Sequence, residues 1–528
     1  GKEEAAGLLL NRQAMASHTF ITGSTGTGKS NAVYHLLDEI TKNGQTTFLV
    51  VEPAKGEYKN VFGNCTDAQV FGTNPRETPL LRMNPFAFPE NIHILEHIDR
   101  LVEIFNACWP MYAAMPAVLK DAIERSYQKV GWDLRNSESE KGIFPTFFDL
   151  LDILPGVIEE SHYSKDTQSD YVGALCTRVK SLTNGIYGSV LCAEDALSDA
   201  EMFDQNVIVD LSRVGSMETK SLLMGILVMK LQEYRMCSSG MNSRLRHVTV
   251  LEEAHNLLRK TSAEQSQEGA NLQGKSVEML ANAIAEMRTY GEGFIIADQA
   301  PGLLDMSVIR NTNTKIILRL PDEEDRKLVG KSAALKEAQI DELSKLPLGV
   351  AAVYQNEWPE AVLCKIEAYP MPENAVYHKP SKMPHEINAE FVFGQLAAGK
   401  ELEPLSSSEM EQLKLWLKRH ETVLKPEDSR YLERVFAGGE LDVAKTRKAV
   451  FDFFGGIGTV VDYCAAAKKS LTPRKEFLEQ LQGQYGLKAA AADWVLNSVI
   501  SMGMSLNPDA KAVDNLRTNF EQQGGRVL

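Results

Sequence analysis

Residues 23–30, Gly-Ser-Thr-Gly-Thr-Gly-Lys-Ser, place four residues between Gly23 and Gly28, with Gly28 directly before a lysine and a hydroxyl. That spacing fits a phosphate-binding loop, in which backbone amides gather around an anion at the start of a helix. Gly23, Gly26 and Gly28 are expected to allow positive φ and close approach of the backbone to a ligand. Thr25, Thr27 and Asn31 complete the cradle. Lys29 would neutralise terminal phosphates and Ser30 would ligate Mg²⁺. The flanks agree: His18–Thr22 reads as a short strand, and Asn31-Ala-Val-Tyr-His-Leu-Leu as a helix. This predicts a site for a nucleoside triphosphate, taken as ATP.

A second stretch, His247–Leu258 (HVTVLEEAHNLL), ends a strand-like run on two carboxylates. Glu252 stands in the metal position, where an aspartate is usual, and Glu253 in that of the base accepting a proton from attacking water. An acid placed to activate water implies hydrolysis. Gln299 closes the next strand-like run and is suited to sensing a γ-phosphate or orienting water. Arg288 ends a helix whose apolar side is Val277, Leu280, Ile284 and Met287. Two roles stay open for it: a finger reaching a neighbouring subunit's nucleotide, or a cation on a helix C-terminus.

These groups need a scaffold. Apolar runs at Thr19–Thr22, Thr47–Val51, Val207–Leu211, Val248–Leu251, Phe294–Ala297 and Lys315–Leu320 are mostly uninterrupted, as in strands buried on both faces. Helical stretches lie between them, so the fold class is α/β with a mostly parallel sheet. Between about 90 and 205 helices dominate, with Leu95, Ile98, Val102, Phe105 and Trp109 on one face of the first. Strands vanish after about 376; helices there begin near a Ser408-x-x-Glu411 capping box and at Thr472-Pro473. The expected division is 1–89 (core, first part), 90–205 (helical insertion), 206–372 (core, second part) and 373–528 (helical C-terminal domain).

Composition narrows the class. The 528 residues are 44% hydrophobic with a net charge of −15, which argues against a surface basic all over but leaves room for basic groups confined to a pore. Seven cysteines without metal-ligand spacing read as reduced thiols, implying a cytoplasmic protein. The longest apolar run, Leu222–Met229, falls far short of the ~20 residues of a membrane span. The chain begins at Gly1 rather than methionine, which points to a preceding part. Arg259–Ser276 reads as a polar loop after the carboxylates, with Lys260 and Lys275 as candidates to meet nucleic acid and a plain surface loop as the simpler reading.

The set Gly23–Ser30, VVEPAKGEY (Val50–Tyr58), VIVDLS (Val207–Ser212), LEEAHNLL and MRTYGEGFIIADQ resembles HerA-type ATPases of the HerA/FtsK superfamily over about residues 15–365. The resemblance implies a RecA-like P-loop NTPase core with ATP and Mg²⁺ between subunits of a homohexamer. It also implies double-stranded DNA in the pore and a nuclease or other effector as partner, in repair or antiviral defence. By it Arg288 becomes a trans-acting arginine, Arg319 the late arginine of a strand, and Glu57 the acid of the family's D-P-H-G-E-Y stretch. That stretch is one residue longer here, with Lys55 near the histidine's place, and Met287 stands where many members have a second arginine. The 22 residues before Gly23 leave no room for the family's N-terminal β-barrel. Two further readings stay open: an ATP-controlled scaffold that organises an effector, and a secretion- or conjugation-type motor.

Overall fold

The computed structural model describes residues 7–42, 44, 46–65, 67–112, 114–139, 142–193, 196–261, 272–371, 375–379, 426–436, 442–469, 472–485 and 489–527. The chain divides into two compact units, 1–140 with 144–380, and 381–528 with 141–143.

The first unit is built on nine strands. They are β1 (Thr19–Thr22), β2 (Thr47–Glu52), β3 (Ala68–Gly72), β6 (Asn206–Asp210), β7 (His247–Glu252), β8 (Glu292–Asp298), β9 (Thr314–Ile317), β10 (Val350–Gln355) and β11 (Val362–Lys365). A two-stranded hairpin, β4 (Trp132–Asp133) with β5 (Glu138–Ser139), stands apart. The sheet order is β11-β10-β9-β1-β8-β7-β2-β6-β3. The pairings from β9 to β3 are parallel, and β10 pairs antiparallel with both β9 and β11. β1 lies between β8 and β9, with β8 and β7 interposed before β2. In open parallel sheets, ligands bind outside the carboxyl ends of strands where the order switches in this way.

Alternation along each strand feeds two cores. Phe48, Val50, Val248, Val250 and Ile295 join Val33, Leu37 and Ile40 of α1 (Lys29–Thr41). Leu49, Val51, Leu251, Phe294 and Ile296 join the apolar faces of the helices on the other side. Both faces are covered, which explains the uninterrupted apolar runs. α2 (Tyr58–Phe62) follows the loop after β2.

Between β3 and β6 come α3 (Ile94–Cys108), α4 (Met115–Lys129), α5 (Phe147–Glu160), α6 (Lys165–Tyr171), α7 (Thr177–Thr183), α8 (Gly185–Leu191) and α9 (Asp199–Phe203). Their buried residues belong to the same hydrophobic cluster as one face of the sheet. The expected inward face of α3 needs one correction, since Leu95 is 38% exposed. Packing against α4, α10 (Met217–Ser238) and α11 (Leu272–Glu286) buries Ile94, Ile98, Leu101 and Ile104 as well as Val102 and Phe105. The run Leu222–Met229 is buried along α10. No single helix among the described residues is long and apolar enough to cross a membrane.

The described part of the second unit contains helices over Pro426–Phe436, Val443–Phe453, Gly456–Ala466, Pro473–Tyr485, Ala489–Leu506 and Ala510–Gln522. Val450, Phe453, Tyr463, Leu496, Ile500 and Phe520 are among the residues of its own core. Pro473 is the first residue of its helix, as the Thr472-Pro473 pair predicts. The Ser408–Glu411 capping box lies outside the described residues.

Candidate nucleotide site

The loop after β1 shows why each glycine is there. Gly26 and Gly28 take φ of 76° and 108°, the left-handed region that favours glycine. Gly23 does not have positive φ, contrary to the expectation from sequence. Its reason is space: a Cβ there would lie 2.7 Å from Thr27 Oγ1 and 2.8 Å from Leu318 Cβ. The Thr27 hydroxyl donates to Ser24 O at 2.7 Å, and Ser24 N donates to Arg319 O at 3.0 Å. The loop is therefore wired to itself and to the segment after β9.

Lys29 opens α1, and its Nζ donates to Gly23 O at 2.8 Å. Burial pushes its pKa down, against the pull of Glu253 and Glu252. Ser30 follows in the first turn of α1. The Asn31 side chain is spent elsewhere: Nδ2 donates to Glu367 O and Oδ1 accepts from Tyr369 N. What Asn31 can offer a phosphate is its backbone amide. The exposed Thr25 hydroxyl donates to Gln299 Oε1 at 2.7 Å.

The carboxylate pair sits beside this loop. Glu252 ends β7, is 6% exposed, and accepts a hydrogen bond from the Tyr58 hydroxyl. Burial pushes its pKa up to about 7, with Tyr58 acting in the opposite sense. Glu253 adopts φ 45° and ψ 52°, a left-handed conformation costing about 1–3 kcal/mol for a non-glycine residue. Its Oε2 is buried without a hydrogen-bond partner. Burial and then Asp298 raise its pKa, while Lys29 and His255 lower it. His255 donates its backbone N–H to Asp298 Oδ2 at 2.8 Å and places Nδ1 2.9 Å from the same oxygen. That ring nitrogen is also 3.5 Å from Glu253 Oε2. The hydrogen bond to Asp298 raises the His255 pKa, which favours imidazolium between two carboxylates.

A cavity of about 360 Å³ joins these groups, with Thr25, Lys29, Lys55, Lys220, Glu253 and Gln299 in its wall. Lys220 lies in the first turns of α10, and its pKa is lowered by burial. Sequence reasoning missed Lys220, His255, Asp298 and Tyr58 as parts of the site. His255 stands two residues after Glu253 and Tyr58 one after Glu57, but nothing in the spacing marks Lys220, which the fold brings in from another strand–helix connection. Three ammonium groups, of Lys29, Lys55 and Lys220, around one cavity beside the phosphate loop suit a triphosphate. Ser30 and Glu252 offer the hard oxygens Mg²⁺ prefers. A carboxylate oxygen that accepts no hydrogen bond, on a residue lining the same cavity, suits a proton acceptor. The residues present fit a Mg²⁺–nucleotide.

Three residues singled out in the sequence lie apart from this cluster. Arg288 is exposed in a 3₁₀ turn, Met287–Tyr290, just before β8. Gln299 follows the other end of that strand, so about 20 Å of extended chain separates the two. Arg288 is remote from its own phosphate loop. Arg319 lies beyond β9 with its side chain exposed, and touches the loop through its carbonyl. Glu57 is exposed, its N–H donating to Glu52 Oε1 at 2.8 Å. The stretch read as a loop over 259–276 is shorter, because α11 begins at Leu272. Lys275 is therefore exposed on a helix, and residues 262–271 lie outside the described set.

The family model of the helicase HerA central domain matches residues 3–231, a span that holds the phosphate loop and β1, β2, β3 and β6 and ends before the carboxylate pair. The chain is similar to P-loop ATPases of the HerA type. Among its curated relatives is a probable helicase, MJECL08, of Methanocaldococcus jannaschii. It is 23% identical over 390 residues, 68% of this chain and 68% of the relative. The DNA double-strand break repair helicase HerA of Sulfolobus acidocaldarius is 26% identical over 369 residues, 67% of this chain and 66% of the relative. The chain thus spans about two thirds of the length of these relatives. Its fold is also that of VirB4 of Thermoanaerobacter pseudethanolicus, with a TM-score of 0.51 and 19% identity over 67% of this chain and 90% of that one. The plasmid coupling protein TrwB, solved with the GTP analogue GDPNP, gives a TM-score of 0.50 and 14% identity over 70% of this chain and 90% of that one.

Proposed function

We propose that this protein is an ATP-hydrolysing ring motor that binds and translocates double-stranded DNA, acting with a partner nuclease or other effector in DNA processing or antiviral defence. Lys29 and the loop amides hold the phosphates, while Ser30 and Glu252 hold Mg²⁺. Bound Mg²⁺ supplies charge neutralisation at the phosphates. Glu253 takes the proton of the attacking water and His255, held by Asp298, keeps that carboxylate ionised. Gln299, tethered to Thr25, orients the water. Arg288, remote from its own site, serves the site of the adjacent subunit in a homohexamer. In this reading 1–89 and 206–372 form the core, 90–205 an insertion sharing its hydrophobic cluster, and 373–528 a helical C-terminal domain.

The observation that carries the ATPase chemistry is Glu253 Oε2: buried, without a hydrogen-bond partner, 3.5 Å from His255 Nδ1, on a residue in the wall of the cavity that contains Lys29. DNA as the partner is supported by the HerA relatives. The test is ATP hydrolysis measured with and without linear duplex DNA. A motor turns over several-fold faster with duplex, and an ATP-controlled scaffold keeps its basal rate. Equal rates at saturating duplex would reject translocation in favour of the scaffold.

A further inference from the structure

Glu252 stands where an aspartate is usual, and its side chain has one more rotatable bond to fix. The structure shows what fixes it. Tyr58 is 1% exposed, and its hydroxyl donates to Glu252 Oε1. Glu252 Oε2 keeps no hydrogen-bond partner among the described residues.

Tyr58 is itself held from two sides. The Glu52 carboxylate at the end of β2 accepts the backbone N–H of Glu57 at 2.8 Å and that of Tyr58 at 3.1 Å. Those two bonds anchor the start of α2. The Tyr58 ring meets Tyr34 of α1 edge to face, with centroids 5.0 Å apart and planes at 78°. α1 is the helix that begins with Lys29. One side chain therefore links the β2 loop, the phosphate-loop helix and the carboxylate at the end of β7. The shorter aspartate would need no such restraint, whereas glutamate carries extra side-chain freedom that a metal ligand must lose.

We propose that Tyr58 is a positioning residue for Glu252, its hydroxyl holding one carboxylate oxygen so that the other is presented to hydrated Mg²⁺. This rests on the reading of Glu252 as a metal ligand. Outer groups that orient a ligand ordinarily account for 10–100-fold in metal affinity or activity.

The test is calorimetric ATP affinity, without hydrolysis, in EDTA and in saturating Mg²⁺, for the wild type, Tyr58→Phe, Glu252→Gln and the double variant. In EDTA, Tyr58→Phe should bind ATP within about twofold of wild type. The gain in affinity that Mg²⁺ brings should shrink about tenfold, the effect of one lost hydrogen bond to a charged group. The double variant should lose no more of that gain than Glu252→Gln alone. Equal loss in both buffers would make Tyr58 a purely structural residue and overturn the proposal. A full Mg²⁺ gain in Tyr58→Phe, with the gain lost in Glu252→Gln, would overturn it and leave Glu252 as the ligand. A full gain in Glu252→Gln would remove the metal assignment and the Tyr58 role together.

Discussion

The Thr25 hydroxyl donates to Gln299 Oε1 across 2.7 Å, tying the phosphate loop after β1 to the residue that follows β8. The two strands are parallel neighbours with Thr22 opposite Asp298, so the link spans adjacent strand ends. In the proposed mechanism it couples the phosphate loop to the side chain that orients water. Gln299→Ala should therefore leave ATP affinity within about twofold and lower the hydrolysis rate about tenfold or more, as for a lost positioning contact. Steady-state kinetics beside equilibrium binding separate the two effects.

Glu253 should separate binding from chemistry more sharply. Glu253→Gln keeps the size and polarity of the side chain but removes its capacity to accept a proton at the carboxylate. Hydrolysis should fall by about 10²-fold or more, the scale of a lost general base, with Mg²⁺–ATP still bound. Single-turnover measurement with the nucleotide pre-bound checks it, and a wild-type rate would move the base elsewhere.

The core offers a test of stability. Lys315 of β9 is 2% exposed, donates to Thr312 O at 2.6 Å, and has its pKa pushed down to about 8 by burial. An unfolded lysine titrates near 10.4, so below about pH 8 both states are protonated and the folded state bears the full cost of the buried charge. That cost declines between about pH 8 and 10.4, as the folded state loses its proton first. Lys315→Met should raise stability at pH 7 by about 1–3 kcal/mol, and the advantage should narrow towards pH 10. Chemical denaturation at both pH values measures it.

Legibility from sequence followed burial. β1, β2, β6, β7 and β8 were readable because both faces are covered and the runs are continuous. β3 was not: Ala68 and Gln69 are half-buried and the strand has a single neighbour, β6. β10 and β11 were lost for related reasons, with alanines at 351 and 352 in one and exposed Val362 and Leu363 in the other. The phosphate loop and the Glu252–Glu253 pair were legible because their chemistry is contiguous in the chain. Lys220 and Asp298 join the site through strand order, which no local spacing encodes, whereas Tyr58 stands next to Glu57 in a stretch the sequence had marked. Leu95 was misread because a helix packed on several sides has no single inward stripe.

Arg288 can be assigned by complementation. Lys29→Ala removes the loop cation and Arg288→Ala the exposed arginine, and each alone should be inactive. If the arginine acts across an interface, mixed rings contain sites joining an intact loop to an intact arginine. For random 1:1 mixing with independent sites, activity should return to about a quarter of wild type. No recovery, with subunit exchange demonstrated separately, would place Arg288 outside the catalytic site.

Movement along DNA driven by Glu253-dependent hydrolysis is the centre of the account. It is measured most directly by displacement of a triplex-forming oligonucleotide from linear duplex, followed in time with ATP and Mg²⁺. Wild-type protein should displace the third strand in proportion to ATP consumed, and Glu253→Gln should bind the duplex without displacing it. A third strand that stays in place while wild-type protein hydrolyses ATP on the same duplex would contradict translocation.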